Sequence, residues 1–160
     1  MPAEFRNEPF TDFSKPENKK RMEEALSKVA SEFGREYPLV IAGKKITCEG
    51  KISSMNPNRK GEVVGVAQKG TREHALDALD SAWRTFETWQ HAGFEKRADH
   101  LFRIAERMKS RKFELAAWMV YEIGKSWPEA DGDVAEAIDF CEFYAHEALK
   151  FAKPQACLPW

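Results

Sequence analysis

The chain has 160 residues, with 25 lysines and arginines against 26 aspartates and glutamates, and at a formal net charge of −1 it offers no basic footprint for nucleic acid. Its size suits one ordinary domain or a piece of one, and no apolar run approaches the ~20 residues of a membrane span. Met1-Pro2-Ala3-Glu4 opens onto mixed charge rather than a secretory signal, so a cytoplasmic protein without nucleic-acid or membrane partners is expected.

In chain order, Ser14-Lys15-Pro16-Glu17 has the S-x-x-E pattern of a capping box, followed by Met22, Leu26, Val29 and Phe33 at helical spacing and Gly34 as a stop. A helix over about Lys15 to Phe33 is predicted. Pro38 to Ala42, a turn with Gly43, and Lys45 to Cys48 read as a short hairpin. Lys51 to Met55 and Glu62 to Gln68 read as two further strands around Asn56-Pro57-Asn58. Thr71 is a good N-cap for a helix carrying Ala75, Leu79, Ala82, Phe86 and Trp89, closed by His91-Ala92-Gly93. Three more helices follow, over about Lys96 to Lys109, Phe113 to Ile123 and Glu129 to Ala152, with Gly124 ending one and Pro128 opening the next. The class is α+β, mostly helical with a few short strands, and nothing in the order yields the βαβ alternation of a nucleotide-binding domain.

The last helix is the most informative. One stripe collects Val134, Ile138, Cys141, Ala145, Ala148 and Ala152, the inward face. Nearly opposite lie Glu136, Phe140, Phe143, Glu147 and Phe151, while Asp139, Glu142, His146 and Lys150 form a wedge expected to face water. Three phenyl rings on a second face need a cover, because a bare patch of that kind marks an interface.

The chemical motifs are sparse. Gly124-Lys125-Ser126 suggests a phosphate loop, but the required earlier glycine falls at Met119, inside an apolar helical run. His74, His91, His100 and His146 share no i, i+4 pair and have no cysteine at ligand spacing, so no metal site is expected. Cys48, Cys141 and Cys157 are odd in number and far apart, and read as reduced thiols with no local signature of a nucleophile, so no catalytic residue is assigned. The run Arg107 to Lys112 reads as a solvated helix end, and Asp131 and Asp133 as carboxylates favouring a helix N-terminus. Glu136 stands apart, since a carboxylate sharing a face with Phe140 and Phe143 loses water unless a donor or cation meets it. From chemistry alone a structural salt bridge is the more ordinary outcome. A ligand ammonium held between carboxylate and rings is the sharper one.

At these residues the chain resembles the amino-terminal portion of the aldehyde dehydrogenase superfamily, in its 1-pyrroline-5-carboxylate (glutamate semialdehyde) dehydrogenase branch. The resemblance is carried by FRNEPFTDF (Phe5 to Phe13), EYPLVIAGK (Glu36 to Lys44), SMNPN (Ser54 to Asn58), EVVG (Glu62 to Gly65) and EIGKSWPEADGDVAEAIDF (Glu122 to Phe140). It implies oxidation of a small-molecule aldehyde by NAD through a cysteine thiohemiacetal, hydride transfer, and thioester hydrolysis helped by a glutamate base. In that branch the aldehyde is glutamate semialdehyde and the product glutamate, the last step of proline breakdown. The resemblance also places the glutamate of DVAEAIDF, here Glu136, near the substrate's α-amino group, and implies homo-oligomers.

The family's catalytic cysteine, glutamate base and NAD-binding strands have no counterpart in these residues, so the chain is expected to be an inactive leading piece with no cofactor-binding residue of its own. Its parts are expected to be a helical arm (1–36), short strands (37–69), a helical segment packing on the NAD-binding domain (70–152) and a truncated tail (153–160). Two alternatives stay open: a non-catalytic helical interaction module, and a fragment of a dehydrogenase for another semialdehyde. With its second apolar face uncovered, the isolated piece is expected to pack loosely or self-associate.

Overall fold

The computed structural model describes residues 4–154. Helix α1 spans Pro16–Ala30, followed by strands β1 (Glu36–Tyr37), β2 (Leu39–Ile41), β3 (Lys44–Ile46), β4 (Lys51–Met55) and β5 (Val63–Gln68). Four helices complete it: α2 (Arg72–Trp89), α3 (Phe94–Ser110), α4 (Lys112–Ile123) and α5 (Trp127–Phe151). The predicted mostly helical chain with a few short strands is what forms.

β2 and β3 pair antiparallel, Leu39 opposite Ile46 and Ile41 opposite Lys44. Ala42 and Gly43 turn the hairpin with φ of 50° and 76°, the left-handed pair that matches strand twist in a two-residue turn. β4 and β5 pair antiparallel, with a register shift between Ser54 and Met55. β1 pairs parallel to the other edge of β5, Glu36 opposite Val66 and Tyr37 opposite Ala67. That two-residue strand and its parallel pairing have no periodic signal in the sequence, because two residues cannot show a period.

Two local expectations fail at the N-terminus. α1 ends at Ala30, short of Phe33, and Ser14 and Glu17 do not form a capping box. Asp12 intervenes instead, its Oδ1 accepting from the Ser14 amide at 3.0 Å and the Ser14 hydroxyl at 2.6 Å. The box forms elsewhere, at Ser126-Trp127-Pro128-Glu129, where Glu129 Oε2 accepts from Ser126 N at 3.1 Å and Ser126 Oγ at 2.7 Å. The Thr71 cap forms as expected, with His74 Nδ1 accepting from the Thr71 amide at 3.1 Å.

The core joins four helices through small side chains. Met22, Ala25 and Val29 of α1 meet Ala105 of α3, Ala116 and Ala117 of α4, and Ala130, Val134 and Ile138 of α5. Alanines at the crossings let the backbones approach, and aromatic rings close the rim: Phe13 lies edge-on to Trp127 at 5.6 Å, and Phe33 to Tyr121 at 4.9 Å.

Residues before α1 run as an extended arm along α5, and carboxylates of α5 hold it. Asp131 accepts from Thr11 N at 2.7 Å and Thr11 Oγ1 at 2.6 Å. Asp139 accepts from Asn7 Nδ2 at 2.7 Å and Glu8 N at 2.6 Å. Lys112, at the start of α4, completes the fastening: its Nζ donates to Pro9 O at 2.7 Å and lies 3.3 Å from both Glu8 Oε1 and Asp131 Oδ1. These are corrections to the sequence reading. Lys112 is buried at 7% exposure rather than a solvated helix end, and Asp131, at 2%, is buried in an ion pair rather than acting as a helix-end charge.

Removing the ammonium would leave Asp131 buried beside Glu8 with no cation. Lys112→Met is therefore expected to cost about 3–5 kcal/mol, and Lys112→Met with Asp131→Asn less than the two single costs added. Urea unfolding of the four variants measures this; a loss below about 0.5 kcal/mol for Lys112→Met would remove the cluster from the account of stability.

Candidate functional site

Helix α5 carries the residues that sequence reasoning singled out. Val134, Ile138 and Ala145 are fully buried as expected, whereas Cys141, Ala148 and Ala152 are half-buried. The wedge predicted to face water is instead largely covered. Asp139 is taken by the arm, Glu142 pairs with Lys109 of α3, and the His146 ring lies between Phe102 at 5.0 Å and Phe5 at 6.3 Å. The wedge was misread because the arm and α3, distant in sequence, both land on that side.

The second stripe is the open one. Phe140, Phe143 and Phe151 are 51%, 42% and 56% exposed, and Tyr144 joins them, stacked on Phe140 with ring centroids 6.0 Å apart. Glu136 is exposed one turn before Phe140 and enters no ion pair or hydrogen bond among the described residues. The salt bridge that sequence chemistry favoured is not formed there. A carboxylate standing free beside aromatic faces has the chemistry to receive an organic cation.

Two of the quoted motifs meet in space at the start of α5. Gly124 ends α4 with φ of 74°, and a Cβ there would come within 3.0 Å of Pro57 Cγ and 3.2 Å of Asn58 Nδ2. Glycine is required both for the left-handed backbone and for that approach. Asn56, 5% exposed, shapes the facing loop: its Oδ1 accepts from Asn58 N at 2.9 Å and its Nδ2 donates to Glu62 Oε2 at 2.6 Å. Ser54 Oγ donates to Glu122 Oε1 at 2.8 Å, tying β4 to the end of α4. In the Gly124-Lys125-Ser126 turn the groups a phosphate loop would use are engaged within the chain: Lys125 pairs with Asp133 and the Ser126 amide is bound to Glu129.

A cleft of about 410 Å³ opens between the end of α1, β5 and α4, lined by Arg35, Tyr37, Arg111, Glu114, Trp118 and Glu122 among others. Its charges are spent on one another: Arg35 on Glu32 at 2.9 Å, and Arg111 on Glu114, which also takes Lys28 at 3.0 Å. Hydrogen bonds from Arg111 and then Lys28 hold the Glu114 carboxyl down to about 2, far below its ordinary 4.5. Among the described residues no group of three histidines, cysteines, aspartates or glutamates is placed to hold a metal ion, and no helix is long and apolar enough to cross a membrane. Cys157 lies outside the described residues.

Residues 45–158 match the aldehyde dehydrogenase family. A 1-pyrroline-5-carboxylate dehydrogenase of Bacillus cytotoxicus is 51% identical over 150 residues, which are 94% of this chain and 29% of that relative. The structure of a mutant of the Thermus thermophilus 1-pyrroline-5-carboxylate dehydrogenase superposes with a TM-score of 0.95 at 43% identity, over 100% of this chain and 31% of that one. A Thermus 1-pyrroline-5-carboxylate dehydrogenase with bound NAD superposes with a TM-score of 0.94 at 43% identity, again over 100% of this chain and 31% of that one. The chain thus spans about 30% of the length of the relatives it matches.

The depressed Glu114 carboxyl sets an acid dependence. A carboxylate whose folded pKa lies below its unfolded one gives stability that is whole above 4.5 and is lost as pH falls through about 2. Glu114→Gln is therefore expected to flatten the acid limb of stability over that window, by up to about 3 kcal/mol before solvent screening of the exposed Lys28 and Arg111 reduces it. Urea midpoints measured from pH 6 downward decide it; parallel curves for the two proteins would reject the pairing.

Proposed function

The chain belongs to the aldehyde dehydrogenase family, and from that premise we propose that it is the part of an NAD-dependent dehydrogenase that shapes the entrance for L-glutamate γ-semialdehyde, which is oxidised to glutamate. What supports the substrate is likeness along nearly the whole chain to relatives bearing the 1-pyrroline-5-carboxylate dehydrogenase name. What carries the role of this segment is one observation: Glu136 is exposed and unpaired among the described residues, beside a Phe140 that is 51% exposed, on a stripe where Phe5 of the arm meets Phe143 at 5.5 Å but leaves the rings about half open.

In this reading the Glu136 carboxylate receives the α-ammonium of the substrate, and the aromatic face lends apolar cover that lowers the local dielectric. The buried side of α5 fixes the helix, so the carboxylate is held by a rigid element rather than a loop. The arm (1–36) and the strands (37–69) brace the helical segment (70–152), whose open faces pack on a dinucleotide-binding body. NAD, present in the Thermus relative, supplies the hydride acceptor when bound. None of the residues described here offers it a phosphate cradle, so its binding groups lie in that body.

Two outcomes are expected. The 160 residues alone give no NADH from NAD and pyrroline-5-carboxylate, and turnover above background would refute that assignment. In a full-length relative bearing the same motif, replacing the glutamate that matches Glu136 with alanine raises KM for glutamate semialdehyde about 10–100-fold, the worth of one charge-assisted hydrogen bond. A simple aliphatic aldehyde is barely affected; equal changes for both substrates would reject the ammonium contact.

A further inference from the structure

Folding brings together one thiol and one imidazole that sequence spacing gave no reason to pair. Cys48, in the loop after β3, places its Sγ 3.8 Å from His74 Nδ1 at the start of α2. The same nitrogen accepts the Thr71 amide at 3.1 Å. A backbone N–H can only donate, so Nδ1 carries a lone pair and the ring proton sits on Nε2. The thiol therefore lies beside a ring nitrogen of fixed tautomer, whose lone pair it shares with the nearer Thr71 amide and with Thr71 Oγ1 at 3.3 Å. Its backbone is fixed as well: Cys48 N donates at 2.7 Å to Oε1 of Gln68, which is 4% exposed and anchored to Tyr37 O at 3.1 Å. Cys48 is half-buried, open enough for a small reagent.

We propose that Cys48 and His74 form a thiol modification site that takes low-molecular-weight disulfides. His74 Nδ1 receives the S–H proton as the Cys48 sulfur attacks one sulfur of the disulfide. A new S–S bond forms, the original one breaks, and the second sulfur leaves as a thiolate that takes up the proton, so that the small disulfide is the only oxidant. The second described cysteine provides an internal contrast. Among the described residues no imidazole hydrogen-bonds to Cys141, and burial, then Glu142, pushes its thiol above the ordinary range. While Nδ1 holds the proton it cannot accept the Thr71 amide, and it accepts again once the leaving thiolate has taken the proton. The helix whose first turn carries this cap, α2, buries no residue of its own.

The test treats the 160-residue chain with a chromogenic aryl disulfide and locates the adducts by peptide mapping. Cys48 is expected to react faster than Cys141 and faster than Cys48 in the urea-unfolded chain. His74→Gln should slow it by about tenfold or more, a conservative share of the roughly 10²–10⁴-fold that a positioned base contributes. Thr71→Ala, which weakens the same cap but keeps the imidazole, should retain the fast rate. A native Cys48 no faster than its unfolded reference, an unchanged rate in His74→Gln, or equal slowing in both variants would each overturn the proposal.

Discussion

The Lys112 ammonium is the interaction on which the rest of this structure depends. It has three protons to donate, and within 3.3 Å it meets three oxygens from two separate parts of the chain: Pro9 O and Glu8 on the arm, and Asp131 on α5. An extended arm has no helix or strand ladder of its own, and its polar groups are tolerable against a helix only if other groups satisfy them. Asp131 and Asp139 do so for the amides, and Lys112 balances the charge they and Glu8 bring. Burying one cation among carboxylates is expensive. Here the ammonium donates to two oxygens of the arm and is ion-paired with Asp131, so the cost is offset by geometry, and α4, α5 and the arm are held in one arrangement.

That arrangement divides α5 into sides with different duties. The alanine, valine and isoleucine side makes the core, the Asp139 and His146 side is roofed by the arm and α3, and the side with Glu136 and the phenyl rings stays about half exposed, with Phe5 of the arm against Phe143. A helix clamped on two sides is a stiff platform for the third. The contrast with α2 is instructive: capped but with nothing buried, it shows Leu79, Trp83 and Phe86 at 53%, 62% and 46% exposure.

Much of the fold could be read from the sequence, because long amphipathic helices and the Ala42-Gly43 hairpin carry local signals. The failures share one cause. The same S-x-x-E pattern occurs at Ser14 and at Ser126, yet only the second forms a box, since Asp12 competes for Ser14. Lys112 and Asp131 looked like surface charges because their partners lie 103 and 120 residues away. The polar wedge of α5 was assigned to water on periodicity, which reports that a face is polar but not whether a polar arm covers it. Of the candidate site, the helix and the stripe holding Glu136 were legible. The absence of an ion pair at Glu136 was not, since every nearby charge had to be placed first: Asp133 with Lys125 and Glu142 with Lys109.

The two open faces and the partial match in length bear on each other. A Phe or Trp left in water forgoes roughly 1.5–3 kcal/mol that burial would supply, and α2 and α5 between them leave several such rings bare. The relatives that superpose on this chain are about three times its length by the 31% share it occupies. In the proposed reading the rings are the contact surface for that larger body, and the same burial that orders the interface dehydrates Glu136. Dehydration is what gives a carboxylate selectivity for an ammonium over water, so the stability of the interface and the recognition of the substrate would rest on the same face of one helix.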